Sequence, residues 1–199
     1  RFSLHFVEML IVWEIYITNY LLTIFMRRTI FAPLIVLSLF TWNIAMADTT
    51  VSSAISGDVT WTKANGPYIV NYVSIPAGSS LTIEPGTIVK VVENSYPFIL
   101  DGTLTIGSAG GEQVVITSMK DDTVGGDTNA DGSATQPQAG DWREITFNSG
   151  SIGNITNTTI RYGGASVYNS WTGGYFTFPL IDNKGGTLTF SNVVLSKSG

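Results

Sequence analysis

From residue 80 onward, short apolar segments alternate with Thr or Ser. They are SLTIEPGTIVKV at 80–91, TLTI at 103–106, VVITS at 114–118, EITF at 144–147 and TLTF at 187–190. A period of two is that of a half-buried strand, and Pro85-Gly86 marks a turn inside the first segment. Each segment is too short to bury a core alone, so the pattern predicts strands stacked into a solenoid with one shared interior. Leu81, Ile83, Leu104, Ile106, Ile145, Phe147, Leu188 and Phe190 are expected to face inward, and Thr82, Thr105, Thr146 and Thr189 outward. Gly, Thr, Ser and Asn are abundant in this part and helix signals are missing, which makes the class all-β with many tight turns.

An internal repeat supports the stacking. ITNTTIRYGG at 155–164 aligns with FSNVVLSKSG at 190–199, an offset of 35 residues that pairs Ile155 with Phe190, Asn157 with Asn192 and Ile160 with Leu195. Asn tolerates left-handed backbone geometry, and its amide can hydrogen-bond to an Asn stacked above it, so Asn157 and Asn192 are expected at one fixed corner of successive coils.

The N-terminal part changes the picture of where such a protein works. Residues 26–47 read MRRTIFAPLIVLSLFTWNIAMA: a basic start at Arg27 and Arg28, an apolar run over 30–40, and the small-x-small triplet Ala45-Met46-Ala47. This is the layout of a cleaved signal peptide, with the mature chain expected to begin at Asp48 and contact with a membrane limited to the stage before cleavage. Residues 1–25 are apolar but hold Glu8 and Glu14, open on Arg and precede a complete signal peptide. They are read as translated upstream sequence. A protein secreted or carried on a bacterial cell surface is the expectation.

From Asp48 the chain carries 7 Lys and Arg against 13 Asp and Glu, a net charge of −6. That balance, with no basic cluster, excludes a nucleic-acid partner. Cysteine is absent and the one histidine, His5, lies upstream of the signal peptide. Neither disulfides nor thiolate metal sites hold the fold, and no Ser/His/Asp set is possible.

VTWTKANGPYIV followed by VSIPAGSSLTIEPGTIVKV, then LDGTLTIGSAGGEQVVITSMKDDTVGGDTNADG and GDWREITF, resembles the N-terminal portion of secreted bacterial right-handed parallel β-helix repeat proteins. The resemblance covers residues 59 to about 164, and implies an exported β-helix without supplying a catalytic motif. Under it, residues 48–75, with Trp61 and Tyr68, form an N-terminal cap, and residues 76–199 form coils. The sequence stops at Gly199 within the repeat rhythm, so further coils of a longer chain are expected to follow.

Three groups of residues are candidates for chemistry. Asp127, Asn129 and Asp131, with Gly132 after them, match the opening of a D-x-N-x-D-G calcium loop, in which alternating oxygen ligands surround a hard cation. The closing carboxylate is replaced by Gln138, for which Asp121, Asp122 or Asp141 would have to substitute. The other reading of this loop is a solvated insertion whose Asp and Asn side chains cap turns. The second group is aromatic. ASVYNSWTGGYFTFPLI at 165–181 interrupts the repeat with Tyr168, Trp171, Tyr175, Phe176 and Phe178, and rings exposed there would stack on sugars while Asn169 and Asp182 bond hydroxyls. The favoured reading is plainer, that the rings pack down on the solenoid wall. The third group is the set of charges a polysaccharide lyase would need: cations from Lys90, Lys120, Arg143 and Arg161, and acids from Asp101, Asp121, Asp141 and Asp182. They are scattered singly and read as solvated turn residues. The expected function is therefore a non-catalytic, adhesin-like scaffold with weak binding of polysaccharide or surface glycan, and a β-helix lyase or hydrolase is the alternative.

Overall fold

The computed structural model describes residues 48–199 together with Tyr16, Ile17, Asn19 and Tyr20, which are helical. Residues 26–47, read as a signal peptide, lie outside the described residues, as does most of 1–25. Among the described residues no helix is long and apolar enough to cross a membrane. The chain divides into two compact units, Arg1–Ala45 and Met46–Gly199, and the strands belong to the second.

They are β1 (Thr49–Val51), β2 (Asp58–Trp61), β3 (Tyr68–Ile75), β4 (Ser80–Ile83), β5 (Ile88–Leu100), β6 (Thr103–Ile106), β7 (Val114–Ser118), β8 (Ile145–Phe147), β9 (Ile152–Arg161), β10 (Ser166–Asn169), β11 (Gly174–Thr177), β12 (Ile181–Asn183) and β13 (Thr187–Ser196). Eleven of them form one sheet, paired in parallel throughout and curled through 277°, and β10 with β11 makes a separate antiparallel hairpin. The protein is all-β with a dominant parallel sheet, an arrangement compatible with a β-helix-like solenoid.

The register shows how the chain coils. A first ladder stacks β2, β4, β6 and the leading halves of β9 and β13, aligning Val59, Leu81, Leu104, Gly153 and Leu188. A second stacks β1, the leading halves of β3 and β5, β7 and the trailing halves of β9 and β13, aligning Tyr68, Val89, Ile116, Ile160 and Leu195. A third stacks the trailing halves of β3 and β5 with β8 and β12, aligning Val73, Phe98, Ile145 and Ile181. From β2 to β13 the chain visits the ladders in the same cyclic order. Residues 48–75, assigned above to a cap, already contribute β1, β2 and β3 to these ladders.

Alternation puts the aligned apolar side chains inside. Leu81, Ile83, Leu104, Ile106, Ile145 and Phe147 are fully buried, each contributing about 1.5–3 kcal/mol on leaving water. Trp61 stacks on Tyr68 with centroids 4.5 Å apart and tilts against Phe98 at 5.9 Å, filling the interior near its N-terminal end. Gly153 stands in an inward row because the Phe147 ring occupies the space a side chain would need: a Cβ there would lie 2.5 Å from Phe147 Cε1 and 2.6 Å from Leu188 Cδ2. Two expectations differ. Phe190, aligned inward, is 47% exposed because, among the described residues, β13 pairs with β9 alone. Thr146, expected outside, is buried and donates its hydroxyl to Glu144 Oε1 at 3.1 Å.

Candidate functional site

In the two earliest coils the step from the second ladder to the third is made within a strand, β3 or β5, and costs no more than a bulge or a left-handed residue such as Asn94 at φ 60°. In the next two coils the same corner opens into insertions. Residues 119–144 leave between β7 and β8, and residues 162–180, which hold the β10–β11 hairpin, leave between β9 and β12. The ends of the two insertions pair with one another: Gly164 N donates to Arg143 O at 2.7 Å, Ala165 N to Trp142 O at 3.1 Å and Gly140 N to Gly163 O at 3.3 Å. Trp142, fully buried, donates Nε1 to Arg161 O at 3.1 Å and fixes the base of both. Two motifs distant in the sequence therefore share one corner.

The first insertion folds back over the second ladder. Buried Asp121 accepts from Thr117 Oγ1 at 2.5 Å, Thr123 Oγ1 at 2.6 Å and Arg161 Nη2 at 2.5 Å. Burial alone would push the Asp121 pKa up, but the hydroxyls of Thr117 and Thr123 and the guanidinium of Arg161 outweigh it and hold the carboxyl below its usual range. Asp141 accepts from Ser118 Oγ at 2.6 Å and Gln138 N at 3.0 Å, and Lys120 bridges it at 3.3 Å to Glu93 at 2.9 Å. Lys90 is fully buried beneath the insertion, its ammonium bonded to Gly126 O. Burial lowers its pKa, against the opposing pull of Asp122, Asp121, Asp48 and Asp127. These charges are latches for the insertion rather than the solvated turn residues expected from their scatter in the sequence.

Within the insertion, Asp122, Asp127 and Asp131 place carboxylate oxygens within 4.8 Å of one another. The three do not have equal capacity for a cation. Asp131 Oδ1 accepts from the backbone of Ser133 and Ala134, and its Oδ2 from Thr135 N, the Thr135 hydroxyl and Asn129 Nδ2. Those bonds, the Thr135 hydroxyl first, lower its pKa and leave it organised as a turn former. Asp127 accepts one backbone bond on each oxygen, from Asp131 N and Gly132 N. Asp122 Oδ1 and Asn129 Oδ1 are buried without a hydrogen-bond partner. An all-oxygen donor set beside unpartnered buried oxygens on Asp122 and Asn129 fits a hard cation, and Asp131 has the most hydrogen bonds to give up in ligating it.

The hairpin is anchored at its base and free at its tip. Phe178 packs edge-on to Tyr96 at 5.8 Å, and the Arg143 guanidinium lies 4.8 Å from the Tyr96 centroid and 5.4 Å from that of Phe178. At the turn, Asn169 Oδ1 accepts from Trp171 N at 2.8 Å and Thr172 N at 3.3 Å, which orders the backbone that carries Trp171. The Trp171 ring itself is 96% exposed. A depression of about 260 Å³ is lined by Val167, Tyr168, Asn169, Ser170, Trp171, Phe176 and Phe178.

The structure thus brings Tyr168 and Trp171 together with Phe176 and Phe178. Tyr175, opposite Tyr168 in the hairpin register, meets that ring edgewise at 5.2 Å and lies outside the depression. Asp182 is on β12, opposite Thr146 and paired with Lys184 at 3.2 Å, and does not line it either. The favoured expectation that the rings pack onto the wall holds for Phe178 alone. Tyr168, Trp171, Tyr175 and Phe176 are exposed. Val167 and Ser170 join the lining without a sequence signal of their own, although the alternation on either side of the Gly173-Gly174 turn is a hairpin signal that pairs Val167 with Phe176.

Compared with protein-family models, with curated proteins and with solved structures, the chain matches none.

Proposed function

We propose that this protein is an exported, non-catalytic scaffold, a right-handed parallel β-helix of the secreted or cell-surface kind whose corner hairpin holds a glycan weakly through aromatic rings. The observation that carries the reading is Trp171, 96% exposed on a turn that Asn169 orders. A large ring kept in water on an ordered backbone costs free energy that burial would recover, and recognition by stacking is what it offers in return. Export rests on the layout of residues 26–47 and predicts a mature N-terminus at Asp48. Calcium, held by Asp122, Asp127 and Asn129, would stiffen the neighbouring insertion.

The non-catalytic part is supported by the engagement of the cations that a lyase would need. Arg161 is committed to Asp121, Lys120 to Glu93 and Asp141, Lys90 to the Gly126 carbonyl and Arg143 to Tyr96. A polysaccharide array read for binding, followed by assays for unsaturated products and reducing ends, tests both halves. Binding lost in Trp171→Ala without turnover is expected. Turnover that survives purification and vanishes in Arg161→Ala would contradict it.

A further inference from the structure

The insertion that carries the exposed rings, residues 162–180, contains no Asp, Glu, Lys, Arg or His. Its depression is lined by aromatic and aliphatic carbon together with the side chains of Asn169 and Ser170. The rest of the unit is acidic. The unit from Asp48 onward has a net charge of −6, and the neighbouring insertion holds Asp121, Asp122, Asp127, Asp131 and Asp141. Arg143 lies between Tyr96 and Phe178, with Nη1 donating to Tyr96 Oη at 2.8 Å and Nε buried.

Resting on the glycan reading above, we infer that the ligand is a neutral polysaccharide, recognised by the faces of its sugar rings and by hydroxyl hydrogen bonds, and that polyuronates and sulfated chains are rejected. An anionic chain would bring its charges to a hairpin that holds no guanidinium or ammonium of its own, on a unit of net negative charge, and like charge is a penalty rather than a steering force. A neutral pyranose carries apolar C–H groups on one face and hydroxyls around its edge. Those match Trp171 and Phe176 for the face, and Asn169 and Ser170 for the edge. The absence of Lys and Arg from the hairpin also removes the electrostatic attraction that an anionic lipid surface requires. The depression is smaller than the roughly 300–1,000 Å³ of enclosed small-molecule sites. It therefore grips a short stretch of a chain, and useful retention comes from repeated sites along a polymer.

The test is affinity electrophoresis of the purified protein in gels containing a neutral β-glucan or polygalacturonate, each run from about 0.05 to 0.5 M salt, the range over which surface charge interactions are screened. Retardation by the β-glucan, unchanged by salt and reduced at least about tenfold in Trp171→Ala, is expected. Trp171 is so exposed that its removal leaves the fold intact, and Asp182→Asn is expected to bind like the parent. Retardation by polygalacturonate that fades with salt would overturn the neutral-ligand inference and leave the glycan reading standing. No retardation by either polymer would overturn both. Co-sedimentation with phosphatidylcholine vesicles, or self-association, abolished by Trp171→Ala would reassign the hairpin to a membrane or to a second copy of the chain.

Discussion

Asn192 Nδ2 donates to Asn157 Oδ1 at 2.7 Å across 35 residues of sequence, and Asn157 Nδ2 in turn donates to Gly111 O at 2.7 Å. Both asparagines have left-handed backbones, φ 54° and 47°, so one residue type turns the corner and ties successive coils together. The same offset relates Tyr162 and Lys197, also left-handed at φ 70° and 50°.

Asn157→Ala removes both bonds of this ladder, at about 0.5–1.5 kcal/mol each, and puts into the left-handed region a residue that tolerates it less well than Asn. Asn157→Gly restores the backbone and not the bonds. Urea unfolding is expected to rank parent above the Gly variant above the Ala variant, and equal midpoints for the two variants would show that the ladder rather than the turn carries the effect.

Gly153 and Phe147 share one volume. Gly153→Ala is expected to destabilise by about 1–3 kcal/mol through overpacking, and Phe147→Leu in that background to recover part of the loss. Additive losses in the double variant would mean that the two positions do not compete for space.

Much of the coil was legible in the sequence because burial enforces period two. The inward faces of Leu81, Ile83, Leu104 and Ile106 and the asparagine corner follow from alternation and from an offset repeat. Three-dimensional convergence was not legible. Lys90, the local pair Thr117 and Asp121, and Arg161 are far apart in the chain, and only the parallel register brings them together. Whether Trp171 or Phe178 is the packed ring depends on a partner, Tyr96 with Arg143, that no local pattern announces. The role of Asp131 was hidden for a related reason. A D-x-N-x-D-G string serves a turn and a cation equally well, and only its five hydrogen bonds show the turn.

Two buried carboxyls titrate in opposite directions. The Asp121 pKa is held below its unfolded value, near 3.9, so its contribution is complete above that pH and is lost as pH falls through the lower folded value. Glu144 is raised by burial, and by Asp182, against the opposing effects of the Thr146 hydroxyl, Lys184 and Arg143. Its ionisation destabilises the fold as pH rises from about 4.3 through the folded value. Across a pH series of urea unfolding, Asp121→Asn is expected to destabilise at pH 7 with a loss that narrows below about pH 4. Glu144→Gln is expected to stabilise at pH 7 with a gain that disappears in the same acid range. A destabilising Glu144→Gln at neutral pH would show that its charge is used.

Calcium is expected to bind with Kd of about 10⁻⁴–10⁻³ M. At ten times Kd it would stabilise by about 1.4 kcal/mol, visible as a rise in Tm that Asp127→Ala and Asp122→Asn abolish. Asp131→Ala is expected to lower Tm with or without calcium, because it removes a turn. A Tm unmoved by millimolar calcium would leave the loop a plain insertion.

The central claim is that the corner hairpin is the recognition surface. Its most direct test is an ¹⁵N–¹H titration of the protein with a neutral β-glucan oligosaccharide. The account predicts saturable shifts confined to residues 166–178, largest at the Trp171 indole, with the ladder residues unmoved. Shifts centred on the outer faces of the ladders, with the Trp171 indole unchanged at saturation, would contradict it.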